Sequence, residues 1–277
     1  MATAKKTAKK TTRKPATRKP SRKAVYAKYG IEFKGGKILS PIGPVNELLK
    51  DGNSKTGPAV YTFSLLPGTH AFTLMIDGEP VTVFGTCVCD CSGCYAKTGF
   101  FTTPGVIQSM ARNTYLTNNH IDFVKRAIMA QLEIIGRGEI RIHAAGDFNT
   151  ANPAAYAAMW RTIAEQFPTF RFWTYTKIKK FENLFDGLKN ANIVKSVIPH
   201  IGVNFGKCEY IMNAYYTLKA MGAKVYICHC GFDPEQHCER CGVCSAYDFV
   251  LFLEHSTDYK GEEDPLFPTL REIVMNQ

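Results

Sequence analysis

The stretch EIRIHAAGDFN, residues 139–149, decides the fold class of this chain. Its first half alternates apolar and polar residues as a β-strand does, and it closes on Gly146 and Asp147. Asn152 and Pro153 then supply an N-cap and a first-turn proline for a helix. The apolar face of that helix comprises Ala155, Tyr156, Met159, Trp160, Ile163 and Phe167. A strand that leads directly into an amphipathic helix is the repeating unit of an α/β fold.

The same unit recurs along most of the chain. The apolar patterns predict helices at 104–117 and 120–135, and further strands at 80–85, 170–176, 200–205, 224–228 and 247–253. Repeated strand–helix units imply a parallel sheet, closed or partly closed as a (β/α) barrel, or a doubly wound layer. In each arrangement the carboxyl ends of the strands open onto one rim. We therefore expect the functional residues to lie at strand ends.

The basic character of the chain is confined to its N-terminus. Residues 1–24 hold ten of the 34 lysines and arginines and no acid, so the remainder carries 24 bases against 24 acids. Like charges, two prolines and the lack of an apolar face predict a disordered tail that could bind DNA or RNA without sequence preference. A solubilising or targeting role is the alternative. We divide the chain into this tail, an N-terminal extension (25–60) and an α/β domain (61–277).

Cysteines provide the strongest chemical signal. Nine of the ten fall into a first group (Cys87, Cys89, Cys91 and Cys94) and a second group (Cys228, Cys230, Cys238, Cys241 and Cys244) in the loop 228–244. Thiolates two to four positions apart can converge on one ion or cluster from a single loop. No secretory signal or membrane-length apolar run is found, so we expect a reducing, cytoplasmic setting and no membrane. The groups therefore predict iron–sulfur or zinc centres, and isolated Cys208 is expected to be a buried thiol.

Several polar residues fall near the predicted strand ends or on the helix after the first group. His143 is either an acid–base residue at the rim or a satisfied core histidine, and Tyr175 and Lys177 are expected to line a pocket. Asn204 suits ribose or substrate contacts. Arg112 and Asn113 either bind a carboxylate or phosphate or form a solvated helix face. If the chain is an enzyme, we expect its catalytic groups among the residues at the rim.

Cys87, Cys91 and Cys94 have the C-x3-C-x2-C spacing of radical SAM enzymes, which this chain resembles. The resemblance implies a four-iron cluster whose fourth iron binds S-adenosylmethionine. It also implies that Tyr95 packs on the adenine, and that Gly146 and Asp147 meet the methionyl ammonium. Cys89 is then either an extra ligand or a bystander. The second group is similar to the loops that hold an auxiliary iron–sulfur cluster, with zinc as the alternative there.

Four short motifs give a closer resemblance. They are CYA at 94–96, IHAAGDF at 142–148, TYTK at 174–177, and C-x2-C-x2-C at 238–244 followed by FLEH at 252–255. Together they resemble the phage and bacterial family called gene product 88, which implies a phage or mobile-element setting in a bacterial host cell. We predict an iron–sulfur protein, radical SAM-like if it is an enzyme, that modifies a macromolecule such as nucleic acid. The alternative is a zinc- or iron–sulfur-stabilised nucleic-acid-binding protein without catalysis.

Overall fold

The structure is a computed structural model. It describes residues 20–52, 56–68, 71–88, 94, 96, 99–198, 202–229, 232, 238–253 and 261–277. Among these residues, no helix combines the length and the apolar composition that crossing a membrane requires.

Seven α-helices and fourteen strands are found in the described part of the chain. In chain order they are α1 (Arg22–Lys28), β1 (Phe33–Lys34), β2 (Lys37–Ser40), β3 (Gly43–Val45), β4 (Val60–Phe63), β5 (Ala71–Ile76), β6 (Glu79–Phe84), α2 (Pro104–Asn119), α3 (Ile121–Ile135), β7 (Gly138–Ile142), α4 (Pro153–Gln166), β8 (Phe170–Thr176), β9 (Ala191–Lys195), β10 (Val197–Ile198), β11 (Gly202–Val203), β12 (Phe205–Gly206), α5 (Cys208–Ala220), β13 (Val225–Ile227), α6 (Cys238–Cys241), β14 (Phe249–Leu253) and α7 (Phe267–Met275).

Two parallel sheets form the centre of the fold, which confirms the α/β class. The larger has the order β4-β7-β8-β9 and the smaller β12-β14-β13. Backbone hydrogen bonds join their neighbouring edges, from Lys195 N–H to the Asp248 carbonyl at 2.9 Å and from Asn204 N–H to the Ser196 carbonyl at 3.1 Å. The described strands do not form a closed barrel.

One face of the larger sheet packs against α3 and α4. Phe63, Ile142 and Phe172 from the sheet are fully buried there with Trp160 of α4, whose ring meets that of Phe63 edge-on at a centroid distance of 5.5 Å. The predicted start of α4 is confirmed, since the Asn152 side chain accepts a hydrogen bond from Ala155 N–H at 3.1 Å. This core fixes which face of each strand is left for the functional residues.

The strand predicted at 80–85 exists, but it does not belong to a parallel sheet. As β6 it pairs antiparallel with β5, and the first parallel strand is β4, which the apolar patterns did not predict. The reason is the pair Asp77 and Gly78, whose φ angles of 52° and 89° form a two-residue hairpin turn. The first cysteine group therefore follows a hairpin inserted after β4, rather than the first strand of the sheet.

The N-terminal extension is folded onto the same core. Its helix α1 begins at Arg22, with Ser21 as the N-cap, so the last residues of the predicted tail are helical. The rest of that tail, residues 1–19, lies outside the described residues. Buried Gln131 of α3 holds the extension, because its Oε1 accepts from Leu48 N–H at 2.9 Å and from Leu49 N–H at 3.1 Å.

Replacing Gln131 by leucine tests this clamp. The variant leaves two buried N–H groups without an acceptor, and we expect the free energy of unfolding in urea to fall by about 3 kcal/mol. Gln166→Leu changes an exposed glutamine at the end of α4 and is expected to cost less than about 0.5 kcal/mol. Equal losses in the two variants would contradict a clamp at Gln131.

Candidate metal centres

The first cysteine group lies where the chain returns from the β5–β6 hairpin to the end of β4. Thr86 N–H donates to the Leu66 carbonyl at 2.9 Å, and the next residue, Cys87, accepts a hydrogen bond on its thiol from Gly68 N–H. Burial raises the pKa of Cys87 to about 12, and the neighbouring Cys94 contributes in the same direction. Two of the three predicted ligands thus lie near enough to interact electrostatically. The others in this region, Cys89, Cys91 and Tyr95, lie outside the described residues.

Asp147 is the buried carboxylate beside this group. One of its oxygens accepts from Phe148 N–H and from the Thr176 hydroxyl, both at 2.8 Å, and the other accepts from Lys177 N–H at 3.0 Å. Burial raises the pKa of Asp147, while these hydrogen bonds oppose the shift. Asp147 and Lys177 both act electrostatically on Cys87, the carboxylate raising its pKa and the ammonium lowering it. Cys87, Asp147 and Lys177 therefore form one site at the carboxyl ends of β7 and β8, as predicted for a rim.

The backbone around Asp147 is tightly determined. Gly146 has a φ of 87°, and a Cβ there would come within 2.7 Å of both Leu65 Cβ and Thr86 Oγ1. Thr86 Oγ1 also accepts a hydrogen bond from Asp147 N–H at 3.0 Å. Thr86 is 1% exposed, and its role in placing Asp147 was not predicted because its partner is 61 residues away. Only glycine fits at position 146, so Gly146 contributes through its backbone conformation, which places Asp147.

His143 lies directly after β7 but below the rim. Its Nε2 is 2.8 Å from the Tyr156 hydroxyl, and its Nδ1 is 3.3 Å from Thr174 Oγ1. Burial lowers the pKa of His143 to about 3, which keeps the ring neutral at physiological pH. Its φ of 60° lies in the left-handed region, where histidine is enriched among non-glycine residues. This geometry supports the core-histidine alternative over the acid–base alternative.

The remaining candidate binding residues are used by the backbone or lie apart. Asn113 donates from its side chain to the Ser64 carbonyl at 3.1 Å, and Asn204 donates to the Val250 carbonyl at 2.8 Å. Both are buried; Asn113 ties α2 to the residue after β4, and Asn204 ties the residue before β12 to β14. Arg112 is partly exposed on α2. None of these contacts provides direct support for ribose, phosphate or carboxylate binding.

The second cysteine group surrounds a single cavity. The cavity is small, with a volume of about 20 Å³. The lining residues are Glu139, Trp173, Tyr226, Cys228, Cys238, Cys241, Gly242, Val243, Cys244 and Val250. Four of the five predicted thiols thus face one space, and the fifth, Cys230, lies outside the described residues. The walls that β8, β13 and β14 supply are largely aromatic and aliphatic.

Contacts with the larger sheet hold the segment around Cys244 in place. The Tyr175 hydroxyl is 2.9 Å from Cys244 Sγ, and Asn192 donates from its side chain to the carbonyls of Cys244 and Tyr247, each at 2.9 Å. Burial raises the pKa of Cys244 to about 12 and that of Tyr175 well above its usual range. Tyr175 was expected to line a pocket, and its hydroxyl contacts Cys244, which lines the cavity. The part played by Asn192 was not predicted, because it depends on partners more than 50 residues away.

The two cysteine groups are reached from different faces of β8. Thr176 contacts Asp147 of the first site, whereas its neighbour Tyr175 contacts Cys244 of the second. Successive side chains of a strand point to opposite faces, so these two contacts lie on opposite faces of the larger sheet. Cys208, predicted to be a buried thiol, is fully buried in the core between α5 and the smaller sheet.

Two facts constrain what these thiols can bind. None of the seven cysteines in the described part of the chain forms a disulfide. Within the same residues, no three histidine, cysteine, aspartate or glutamate side chains are placed to hold a single metal ion. The four thiols of the second group therefore share a cavity without converging on one point.

A comparison with protein-family models matches residues 47–244 to the family described as gene product 88. The chain belongs to the gene product 88 family. The matched region includes the first cysteine group, Asp147 and Lys177, and it ends at Cys244. No curated protein and no solved structure matches the chain. The resemblance drawn from the short motifs is thereby confirmed, and the family description itself states no activity.

Gly242 allows a test of how the second group is built. It has a φ of 63°, and a Cβ there would lie 2.8 Å from Arg171 Nη1, which pairs with the buried carboxylate of Glu139. We expect Gly242→Ala to lower the free energy of unfolding by about 1–2 kcal/mol more than Gly222→Ala does, because the ion pair must also move. Gly222 is the matched control, with a φ of 76° and no atom within 4 Å of its added Cβ. Identical urea midpoints for the two variants would contradict this packing.

Proposed function

We propose that this member of the gene product 88 family is an iron–sulfur protein. The observation that carries the proposal is the cavity lined by Cys228, Cys238, Cys241 and Cys244. Four thiols facing one space with aromatic walls form a donor set suited to a cluster, because iron–sulfur clusters are held by four cysteine thiolates in a largely apolar setting. Bound iron supplies one-electron redox chemistry.

The two candidate occupants require different arrangements of the thiols. A single tetrahedral zinc ion with Zn–S bonds of about 2.3 Å requires its thiolates to lie roughly 3.8 Å apart. No such convergence is found among the described side chains. A four-iron cluster binds each thiolate through a different iron, so it accepts thiols distributed around a cavity. Zinc remains the alternative occupant that the experiment below distinguishes.

The first site supports the finer, radical SAM-like part of the proposal. Cys87 and Cys94 are neighbours at the strand ends, and Gly68 N–H donates to the Cys87 thiol, as backbone amides commonly do to cluster sulfurs. We propose that Cys91 completes this set. Asp147 is held by three hydrogen bonds, so its carboxylate has a fixed orientation next to the thiols. A fixed carboxylate is suited to accept hydrogen bonds from the ammonium of S-adenosylmethionine.

Substrate handling would fall to the groups around that site. Lys177 carries an ammonium that acts on both Cys87 and Asp147, and it can hold an anionic part of a substrate beside that site. We propose a macromolecular substrate, nucleic acid in particular, because residues 1–24 carry ten bases and no acid.

Cysteine variants purified without oxygen test the two centres separately. We expect wild-type protein to be brown, with about four iron and four sulfide per centre. Cys244→Ala is expected to lose one complement of iron, and Cys87→Ala to lose the other together with the change in the EPR signal on adding S-adenosylmethionine. Cys208→Ala is the matched control, because Cys208 is buried in an apolar core, and it is expected to keep all the iron.

Each other outcome rejects a specific part of the proposal. A colourless wild-type protein with bound zinc would reject the iron–sulfur function. A brown protein whose EPR signal ignores S-adenosylmethionine would reject the radical SAM-like part and leave a redox protein. Iron loss in Cys208→Ala equal to that in Cys244→Ala would show that the variants act through misfolding.

The basic tail can be tested without disturbing the fold. Deletion of residues 1–19 removes eight of the ten bases and leaves Ser21 to cap α1. We expect weaker binding to single- and double-stranded nucleic acid, and a salt slope of log K reduced by about 0.7–0.9 for each phosphate that the tail no longer neutralises. A tail of equal length with glutamine at those eight positions controls for length. Unchanged affinity and slope in both variants would contradict nucleic-acid binding by the tail.

A further inference from the structure

The Tyr175 hydroxyl is held against the sulfur of Cys244. Their separation is 2.9 Å, and the hydroxyl cannot move far, because the ring is enclosed by its neighbours. Edge-on contacts at centroid distances of 5.6 Å join it to Trp173 and to Phe252. The Arg141 guanidinium lies 5.7 Å from the ring centroid, on the same side of the sheet. A phenol fixed in this way keeps its hydrogen-bond geometry when the thiol becomes a metal-bound thiolate.

Trp173 is a second donor at the same cavity. It is 2% exposed and lines the space between the four thiols, and within the described part of the chain its indole N–H has no hydrogen-bond partner. Leaving a buried donor unbonded costs free energy that a hydrogen bond to an occupant would recover. Indole N–H donates and never accepts, so the group it suits is an electron-rich one such as sulfide or thiolate.

We propose that Tyr175 and Trp173 donate hydrogen bonds to the sulfurs of the centre in the second cysteine group and thereby raise its reduction potential. This inference rests on the proposed iron–sulfur function and adds to it the residues that tune the centre. Reduction places one more negative charge on a cluster, and donors directed at its sulfurs stabilise that charge. Both residues therefore favour the reduced state without binding iron themselves.

Tyr175→Phe is the principal test, because it removes the hydroxyl and keeps the ring. At a fixed applied potential near the midpoint, we expect the ratio of oxidised to reduced centre to rise about tenfold, which is about 59 mV for a one-electron couple. The ratio is read from the EPR signal of the reduced centre during a redox titration. Tyr216→Phe makes the same change at an exposed tyrosine of α5 and is expected to leave the midpoint unchanged.

Trp173→Phe tests the second donor, and Trp160→Phe is its control. These are the two tryptophans of the chain, and Trp160 is buried in the separate core between the larger sheet and the helices. We expect Trp173→Phe to shift the ratio in the same direction as Tyr175→Phe, and Trp160→Phe to leave it unchanged. This pair also provides the decisive measurement if Tyr175→Phe fails to hold iron.

The outcomes separate this inference from the function on which it rests. Wild-type protein that assembles no cluster at the second group would reject the proposed function. Wild-type iron content with an unchanged midpoint in both Tyr175→Phe and Trp173→Phe would overturn the tuning role alone. A raised midpoint in either variant would also overturn it, because the sign would then be opposite to that of a lost hydrogen bond.

Discussion

Side-chain alternation along β8 is the constraint on which both candidate centres depend. Phe170 and Phe172 point into the core with α4, and Thr176, which has the same parity, reaches Asp147. Trp173 and Tyr175 point to the opposite face, where the second cysteine group packs. A shift of one residue in the pairing of β8 would exchange the two faces, bury the wrong set and separate both sites from their partners.

Burial of the phenylalanines therefore fixes the register that the chemistry needs. Phe170 and Phe172 are at most 1% exposed, and the strand pairs with β7 and β9 on both sides, so its register is set by the core and by two ladders at once. The thiols of the second group gain a defined environment from a strand that they do not belong to. Contacts with Tyr175 and Asn192 of the larger sheet therefore fix the position of Cys244.

Local patterns in the sequence were sufficient for the helices α2, α3 and α4 and for most parallel strands. The 3.6-residue periodicity located α2 and α3, and the Asn152–Pro153 pair located the start of α4. The strand β9 was missed because Ala191–Lys195 is short and has no strict alternation. The β5–β6 hairpin was missed although Asp77 and Gly78 form a known turn signal. Pairing partners were harder to predict, because they depend on contacts between distant segments.

The candidate sites, like the fold, were predictable where local patterns decide and not where contacts between distant segments decide. Cysteine spacing predicted both groups, and four thiols of the second line one cavity, but the spacing could not show that the groups lie on different faces of β8. The hydrogen bond between Tyr175 and Cys244 spans 69 residues, and that between Thr86 and Asp147 spans 61. Contacts over such separations follow from the packed sheet, and no local pattern in the sequence predicts them.

Charge around the second group is consistent with an anionic occupant. Glu139 lines the cavity and is buried, and it would repel thiolates if it were unpaired, but Arg171 pairs with it from the more exposed side. Arg141 then places a guanidinium 5.4 Å from the Trp173 ring centroid, close to the thiols and able to offset their charge. Burying four thiolates without such cations would be prohibitive, because ionised groups are retained in an interior only when they are compensated. The nearby arginine supplies part of that compensation, and positive iron would supply more in the cluster that we propose.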